Sequence, residues 1–290
     1  MAIHRFVLHN SRIREASEGI LNPGQLGLLA GWGLFTTLRV ADGVLFAWER
    51  HWARLSRDSA LMNVALPADP DQVHHDLGKL VEANHAQNAT LRLVVIRNGG
   101  VMWEGPPTGR SSDVIAMTAN SNQWSDGVKL TYQTGGRYAG SDFSHAKITS
   151  WGHNLRFYER AHELGFDECV LLNERGEVTE CTSANIFAVH GSEVFTAPVS
   201  DGCLPGITRE LLLNEVHVPG MRVSEKTLKP EDLENADDVF ITSTTRDLVG
   251  VSQIGDKKLL ACDAVRTKLL AEFRKYLSHY TESRCLTQRT

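Results

Sequence analysis

Apolar and polar positions alternate along some stretches of this chain and recur with helical spacing along others. Together they predict short strands and helices in no regular order. Arg5-Phe6-Val7-Leu8-His9 reads as a strand. Phe35 to Val40 and Val44 to Phe46 are apolar runs around Ala41-Asp42-Gly43, the pattern of a hairpin with an Asp-Gly turn. Residues 48–62 carry a helical period with Trp48, Trp52, Leu55 and Ser59 on one face, and a second helix is expected over 71–86. Leu91 to Ile96 and Val114 to Met117 read as strands.

Turn formers then cluster from Ala119 to Gly127, and residues 120–127 are the expected interdomain linker. A smaller N-terminal α+β domain, 1–119, would precede it and a larger C-terminal domain, 128–290, would follow. The second part predicts a strand at 128–133, a Gly-rich loop at 135–141 and a helix over about 149–164, with Gly165 at its C-terminus. Strands are expected near 168–173, 177–181, 185–190 and 193–196, and helices near 207–216 and 262–280. Strands and helices do not alternate regularly, so the fold class expected is α+β rather than doubly wound.

Bulk properties narrow the partners. The 290 residues are 42% hydrophobic and 22% charged with a net charge of −5, which points to neither nucleic acid nor a membrane surface. No apolar stretch approaches the ~20 residues of a membrane span. Polar residues interrupt the N-terminus at His4 and Arg5 before any signal-like apolar run develops. The five cysteines are odd in number, widely spaced and in no Cys-x-x-Cys pattern. Neither disulfides nor a metal site is expected, and a reducing cytoplasm suits them. They mostly sit in apolar runs, which gives a catalytic cysteine little support.

The chemistry concentrates between residues 145 and 187. Lys147 lies between the Gly-rich loop and a helix start, and Glu180 stands in a strand of small and apolar residues. A lysine and a carboxylate are the pair that pyridoxal phosphate needs. The amine engages the aldehyde, and the carboxylate keeps the pyridine nitrogen protonated. Most lysines are surface residues, and position alone favours Lys147 only modestly over that reading; Glu180 by itself is as readily a solvent-facing strand residue. Pro205-Gly206 before a helix offers free N–H groups to an anion, although most helix starts are only that. Ile241 to Thr245 forms a second group of small hydroxyl donors. Arg50, Arg54 and Arg57 form a helical stripe, usually a solvated face.

His145-Ala146-Lys147, followed by Val178-Thr179-Glu180-Cys181-Thr182-Ser183-Ala184-Asn185-Ile186-Phe187, resembles the class IV, or fold type IV, aminotransferases. The likeness runs from about Gly31 to Val251. That family includes branched-chain aminotransferases, D-amino acid aminotransferases and 4-amino-4-deoxychorismate lyases. The resemblance implies a two-domain fold type IV enzyme, similar to D-amino acid aminotransferase, that uses pyridoxal 5'-phosphate. Lys147 would be the Schiff-base lysine and Glu180 the partner of the pyridine nitrogen. Ile207, Thr208, Ser243 and Thr244 match phosphate-contacting positions. Arg54, in His51-Trp52-Ala53-Arg54-Leu55, matches a phosphate clamp and leaves Arg50 and Arg57 as surface. Arg92 matches a position near the substrate carboxylate in branched-chain enzymes, with a cross-strand ion pair as the equal alternative. Arg137 is a second carboxylate-binding candidate. Asn185 is expected to support a turn rather than touch substrate.

The chain departs from the family at Gly152, where branched-chain enzymes commonly carry a tyrosine, and at Ser243, where glycine is commoner. The implied reaction moves an amino group from an amino acid to a 2-oxo acid, with a branched-chain amino acid or glutamate favoured. A homodimer without nucleic-acid or membrane partners is the implied assembly. The rival readings are 4-amino-4-deoxychorismate lyase, a D-amino acid or R-amine transaminase, and a non-catalytic cofactor-binding relative.

Overall fold

The computed structural model describes residues 2–100, 109–125, 127–259 and 262–287, with side chains as far as 285. The chain divides into two compact units. Unit 1 comprises Met1–Asn122, Ala146–Trp151 and His279–Thr290, and unit 2 comprises Gln123–His145 and Gly152–Ser278.

Unit 1 is built on strands β1 (Ile3–His9), β2 (Arg12–Glu15), β3 (Gly33–Ala41), β4 (Val44–Leu45), β5 (Ala89–Arg97) and β6 (Ser112–Asn120). They form an antiparallel sheet in the order β2-β1-β6-β5-β3-β4. The β3–β4 hairpin turns on Asp42 and Gly43, both at positive φ (50° and 81°), as the expected Asp-Gly turn requires. Helices α1 (Leu26–Leu29), α2 (Trp48–Met62) and α3 (Pro70–Ala83) complete the unit. Asp69 caps α3 by accepting from the Asp71 and Gln72 N–H groups, and Pro70 follows at the first helical position. Leu34, Leu38, Leu55, Leu77, Leu80, Leu91 and Leu93 form the centre of the core.

Helix α2 has the expected ends, and its most buried face is turned from the expected one, which still meets the core through Trp48, Trp52 and Leu55. Its buried residues are His51, Arg54, Leu55 and Asp58. Trp48 and Trp52 are only half-buried and pack against each other, their ring centroids 5.4 Å apart. Three polar side chains turn inward and each finds a partner there, which offsets the penalty of burying it, although His51 Nε2 stays without one among the described residues.

Unit 2 carries β7 (Val128–Gln133), β8 (Glu168–Leu172), β9 (Val178–Cys181), β10 (Asn185–His190), β11 (Glu193–Thr196), β12 (Arg222–Glu225), β13 (Asp238–Ser243), β14 (Asp247–Ile254) and β15 (Lys257–Lys258). Its sheet runs β12-β11-β10-β13-β14-β7-β8-β9, with β15 on β14. Three pairings are parallel, β7 with β8, β7 with β14 and β11 with β12; the rest are antiparallel. Helices α4 (Gly152–Glu163), α5 (Ile207–Asn214), α6 (Pro230–Glu234) and α7 (Ala264–Thr287) accompany it, with the end of α7 counted in unit 1. Val170, Val178, Ile186, Val239, Ile241 and Val249 lie in its core. This mixture is the expected α+β class.

The division differs from the expected 1–119, 120–127 and 128–290. The cut after Asn122 falls inside the expected linker, whose Asp126 lies outside the described residues. Lys147 belongs to unit 1, not to the C-terminal unit. The cause is backbone pairing along β3. The Phe35 N–H donates to the Lys147 carbonyl at 3.0 Å, the Thr149 N–H donates to the Gly33 carbonyl at 2.9 Å, and Leu34 bridges Ile148. The same pairing explains why α4 begins at Gly152 and not at 149.

Candidate active site

In unit 1 the side chains gather around Phe35 and Thr36 on β3. Phe35 is buried, and two cations lie on its ring: Lys147 Nζ at 4.6 Å and Arg92 Cζ at 4.0 Å from the centroid. Arg92 stands on β5 opposite Thr37. Among the described residues no carboxylate pairs with it, so the cross-strand ion pair is not formed. Burial pulls its guanidinium below the ordinary arginine range.

Arg54 is buried and its Nη2 donates to Thr36 Oγ1 at 3.0 Å. The Thr36 hydroxyl lies 2.6 Å from His51 Nδ1. Thr36 thus joins His51 to Arg54, while His51 Nε2 is buried with no hydrogen-bond partner among the described residues. Burial, then the positive charges of Arg54 and Lys147, hold His51 well below the usual histidine range, so it is neutral. Asp58, one turn further along α2, accepts the Lys147 backbone N–H on Oδ2 at 2.9 Å. Arg57 was expected to be plain surface. It is exposed, but its guanidinium grips Asp58 Oδ1 at 2.9 Å through Nε and 2.6 Å through Nη2.

Unit 2 supplies the carboxylate. Glu180 on β9 takes Arg137 Nη2 on Oε1 at 2.5 Å and the Leu204 N–H on Oε2 at 3.1 Å. Arg137, the second candidate for the substrate carboxylate, pairs with Glu180, a buried carboxylate that strand β9 brings to it. Asn185 does what was expected of it. Its amide donates to the Leu204 carbonyl at 2.9 Å, and on β10 it pairs with Thr242 of β13. It thereby ties the Pro205-Gly206 turn to the strand that leads into Ser243 and Thr244. A Cβ on Gly206 would come within 2.0 Å of Asn185 Oδ1, so this position demands glycine.

Helix α5 starts after Gly206 with no side-chain cap. The Ile207 and Thr208 N–H groups therefore stand at an uncapped helix start, the arrangement that receives anions. Glu168, nearly fully buried, gathers the hydroxyls of Thr182 and Ser183 and the guanidinium of Arg246. This links the turn after Glu180 to the loop after Thr244. Gly152 opens on empty space, and no atom lies within 4 Å of where its Cβ would be.

A phosphorylated pyridine aldehyde takes an amine, a carboxylate and an anion site, and each unit holds groups of these types: unit 1 a lysine amine and a buried arginine, unit 2 a paired carboxylate and an uncapped helix start after a glycine. Burial pushes the Cys169 and Cys203 thiols up to about 12, which makes them poor nucleophiles. Sequence reasoning missed Asp58, Thr36, His51 and Glu168. For the residues of α2 a signal existed, since 51, 54, 55 and 58 share one helical face.

The sequence pattern of class IV amino-transferases matches residues 33–254. The chain belongs to this family. Class IV aminotransferases are pyridoxal-phosphate-dependent, and this chain is accordingly a transferase of that kind. The D-alanine aminotransferase of Bacillus licheniformis is 29% identical over 252 residues, covering 86% of this chain and 88% of that protein. A branched-chain amino acid aminotransferase structure from Escherichia coli superposes with a TM-score of 0.85 at 23% identity over 94% of each chain. That of Thermobaculum terrenum in its PLP form gives 0.84 at 18% identity, covering 96% of this chain and 95% of that one. At these identities the two structures establish the fold. No helix among the described residues is long and apolar enough to cross a membrane.

Proposed function

We propose that this class IV aminotransferase moves the amino group of an amino acid to a 2-oxo acid, and that Arg92 holds the substrate carboxylate. The observation that carries this reading is the shared ring of Phe35. A lysine amine and a guanidinium lacking a carboxylate partner both lie on it. An α-amino acid carries its amine and its carboxylate on one carbon, so it needs two such groups close together. A simple amine has no use for the second.

When bound, pyridoxal phosphate supplies an aldehyde and an electron sink for the α-carbon. The rest falls to this chain. Lys147 would move the proton to and from the substrate α-carbon, and Glu180, held by Arg137, would keep the pyridine nitrogen protonated. Arg54, Ile207, Thr208, Ser243 and Thr244 would bind the phosphate. We favour an L-branched-chain amino acid or L-glutamate as donor, on the strength of Arg92 and the aminotransferase-like phosphate turns. A D-amino acid is the second reading, supported by the relative named D-alanine aminotransferase. The family resemblance and five free thiols support a homodimer in a reducing cytoplasm.

The test is a half-reaction screen of the holoenzyme with L-leucine, L-glutamate, D-alanine, an R-amine and aminodeoxychorismate. A true donor bleaches the cofactor's visible absorbance, and a 2-oxo acid restores it. Arg92→Leu should raise the KM for the amino acid. Pyruvate release from aminodeoxychorismate, with no amino acid acting as donor, would replace this reading with the lyase. Borohydride should fix the cofactor on the peptide that contains Lys147, and an adduct on another lysine refutes the assignment.

A further inference from the structure

We propose that Asp58 is a positioning residue for Lys147: its carboxylate sets the lysine backbone and, through it, the reach of the amine. The proposal rests on Lys147 being the lysine that engages the cofactor. Asp58 is 1% exposed, so its carboxylate is stripped of water and must find donors within the fold. Its two oxygens divide the work. Oδ1 takes both donors of the Arg57 fork, and Oδ2 takes the Lys147 N–H at 2.9 Å.

On the other side of the same Cα, the Lys147 carbonyl accepts the Phe35 N–H at 3.0 Å. Both peptide groups of Lys147 are therefore fixed, one by a strand and one by a charged side chain. Only the side-chain torsions are left to place Nζ over Phe35. A backbone N–H held by a desolvated carboxylate is a stronger tether than one held by a neutral acceptor.

Arg57 completes the device. Its side chain is 47% exposed, while its head sits on a buried carboxylate. It neutralises Asp58 and fixes which oxygen faces the lysine. Arg54 and Asp58 are four residues apart on the buried face of α2. One helix thus carries both the proposed phosphate clamp and the tether of the lysine. Displacing a reacting group by about 1 Å can cost on the order of 10²-fold in rate, so a tether of this kind bears on turnover.

The test compares Asp58→Ala, Asp58→Asn and Arg57→Met. Asparagine keeps an oxygen for the Lys147 N–H and lets the exposed Arg57 move into water; alanine keeps nothing. Two readouts are taken. The first is amide hydrogen exchange of the Lys147 peptide in the cofactor-free protein. The second is kcat and KM of the holoenzyme. Asp58→Ala should speed exchange at Lys147 at least about tenfold. It should lower kcat by about 10- to 100-fold with KM nearly unchanged. Asp58→Asn should restore most of both.

An Asp58→Ala protein with kcat and exchange like the unmodified chain overturns the proposal. Arg57→Met, which leaves Oδ2 in place, should change neither readout more than Asp58→Asn does. If Asp58→Ala does not fold, Asp58→Leu, which fills the space without an acceptor, decides: faster exchange at Lys147 supports the tether, and unchanged exchange refutes it. Full transfer by Lys147→Arg would instead overturn the assignment of Lys147 itself, so the two failures are distinguishable.

Discussion

Arg137 and Glu180 form one ion pair, yet the two ways of breaking it should differ. The Glu180 side chain is 6% exposed and that of Arg137 23%, with 2.5 Å between Nη2 and Oε1. With charge centres ~3.5 Å apart and an effective dielectric of ~20, their attraction is roughly 5 kcal/mol before desolvation. Arg137→Met removes the better-hydrated partner. It leaves a buried carboxylate with the Leu204 N–H as its remaining donor among the described residues. Breaking a buried pair in this way costs about 3–5 kcal/mol, and the partial exposure of Arg137 lowers the expectation to about 2–4 kcal/mol. Glu180→Gln still offers an oxygen to Leu204 and lets Arg137 hydrate, so about 1 kcal/mol is expected.

Urea unfolding of the cofactor-free protein measures both penalties. Turnover should rank the variants the other way, with Glu180→Gln losing at least ~10²-fold as the ring-nitrogen partner disappears. Equal penalties for the two variants would show that the pair is a solvated contact and refute the reasoning.

Gly206→Ala should lose about 1–3 kcal/mol of stability and weaken cofactor binding, because its Cβ meets Asn185 Oδ1. Adding Asn185→Ala should recover part of the loss in thermal melts, and no recovery would rule out the clash as the cause. Burial pushes the Asp113 carboxyl up, but hydrogen bonds from Asn98, Asn10, His9 and Gln25 outweigh it and hold the group below the usual carboxylate range. Its contribution is therefore present above the unfolded value of ~3.9 and lost as pH falls. Melts should show the gap between Asp113→Asn and the unmodified protein widest near neutrality and narrowing in acid; a gap independent of pH contradicts this. Gly152→Tyr enters empty space at a helix start without positive φ. It should be neutral or stabilising by less than ~1 kcal/mol. It should also tighten cofactor binding, as a fluorescence titration would show; weaker binding would mean that the space serves another group.

Strands β7, β10 and β11 and helix α2 run between the ends their sequence patterns predict, because alternation, helical period and turn chemistry are local properties. The chemical identity of the site was legible too, but only through a motif that names residue types. What the chain could not reveal locally was who pairs with whom. The strand β3 that takes up Lys147 lies more than a hundred residues away along the chain, and that pairing, with the Asp58 contact, moves the lysine into unit 1. The pairing of Arg137 was hidden for the same reason, since Glu180 lies on β9.

Helix α2 is the more instructive case. A purely apolar-face argument chose Trp48, Trp52, Leu55 and Ser59, and the fold instead buried His51, Arg54 and Asp58 beside Leu55. Burying three polar side chains on one helix is costly unless each is satisfied, and here each has a partner: Thr36 for His51 and Arg54, and Lys147 and Arg57 for Asp58. His51 Nε2 alone of these stays buried without a partner among the described residues, and a local rule broken at such a cost marks a segment shaped for function rather than for stability alone. The conflict was visible in the sequence as polar residues in register with Leu55. Its meaning required the strand and the lysine that come to meet them.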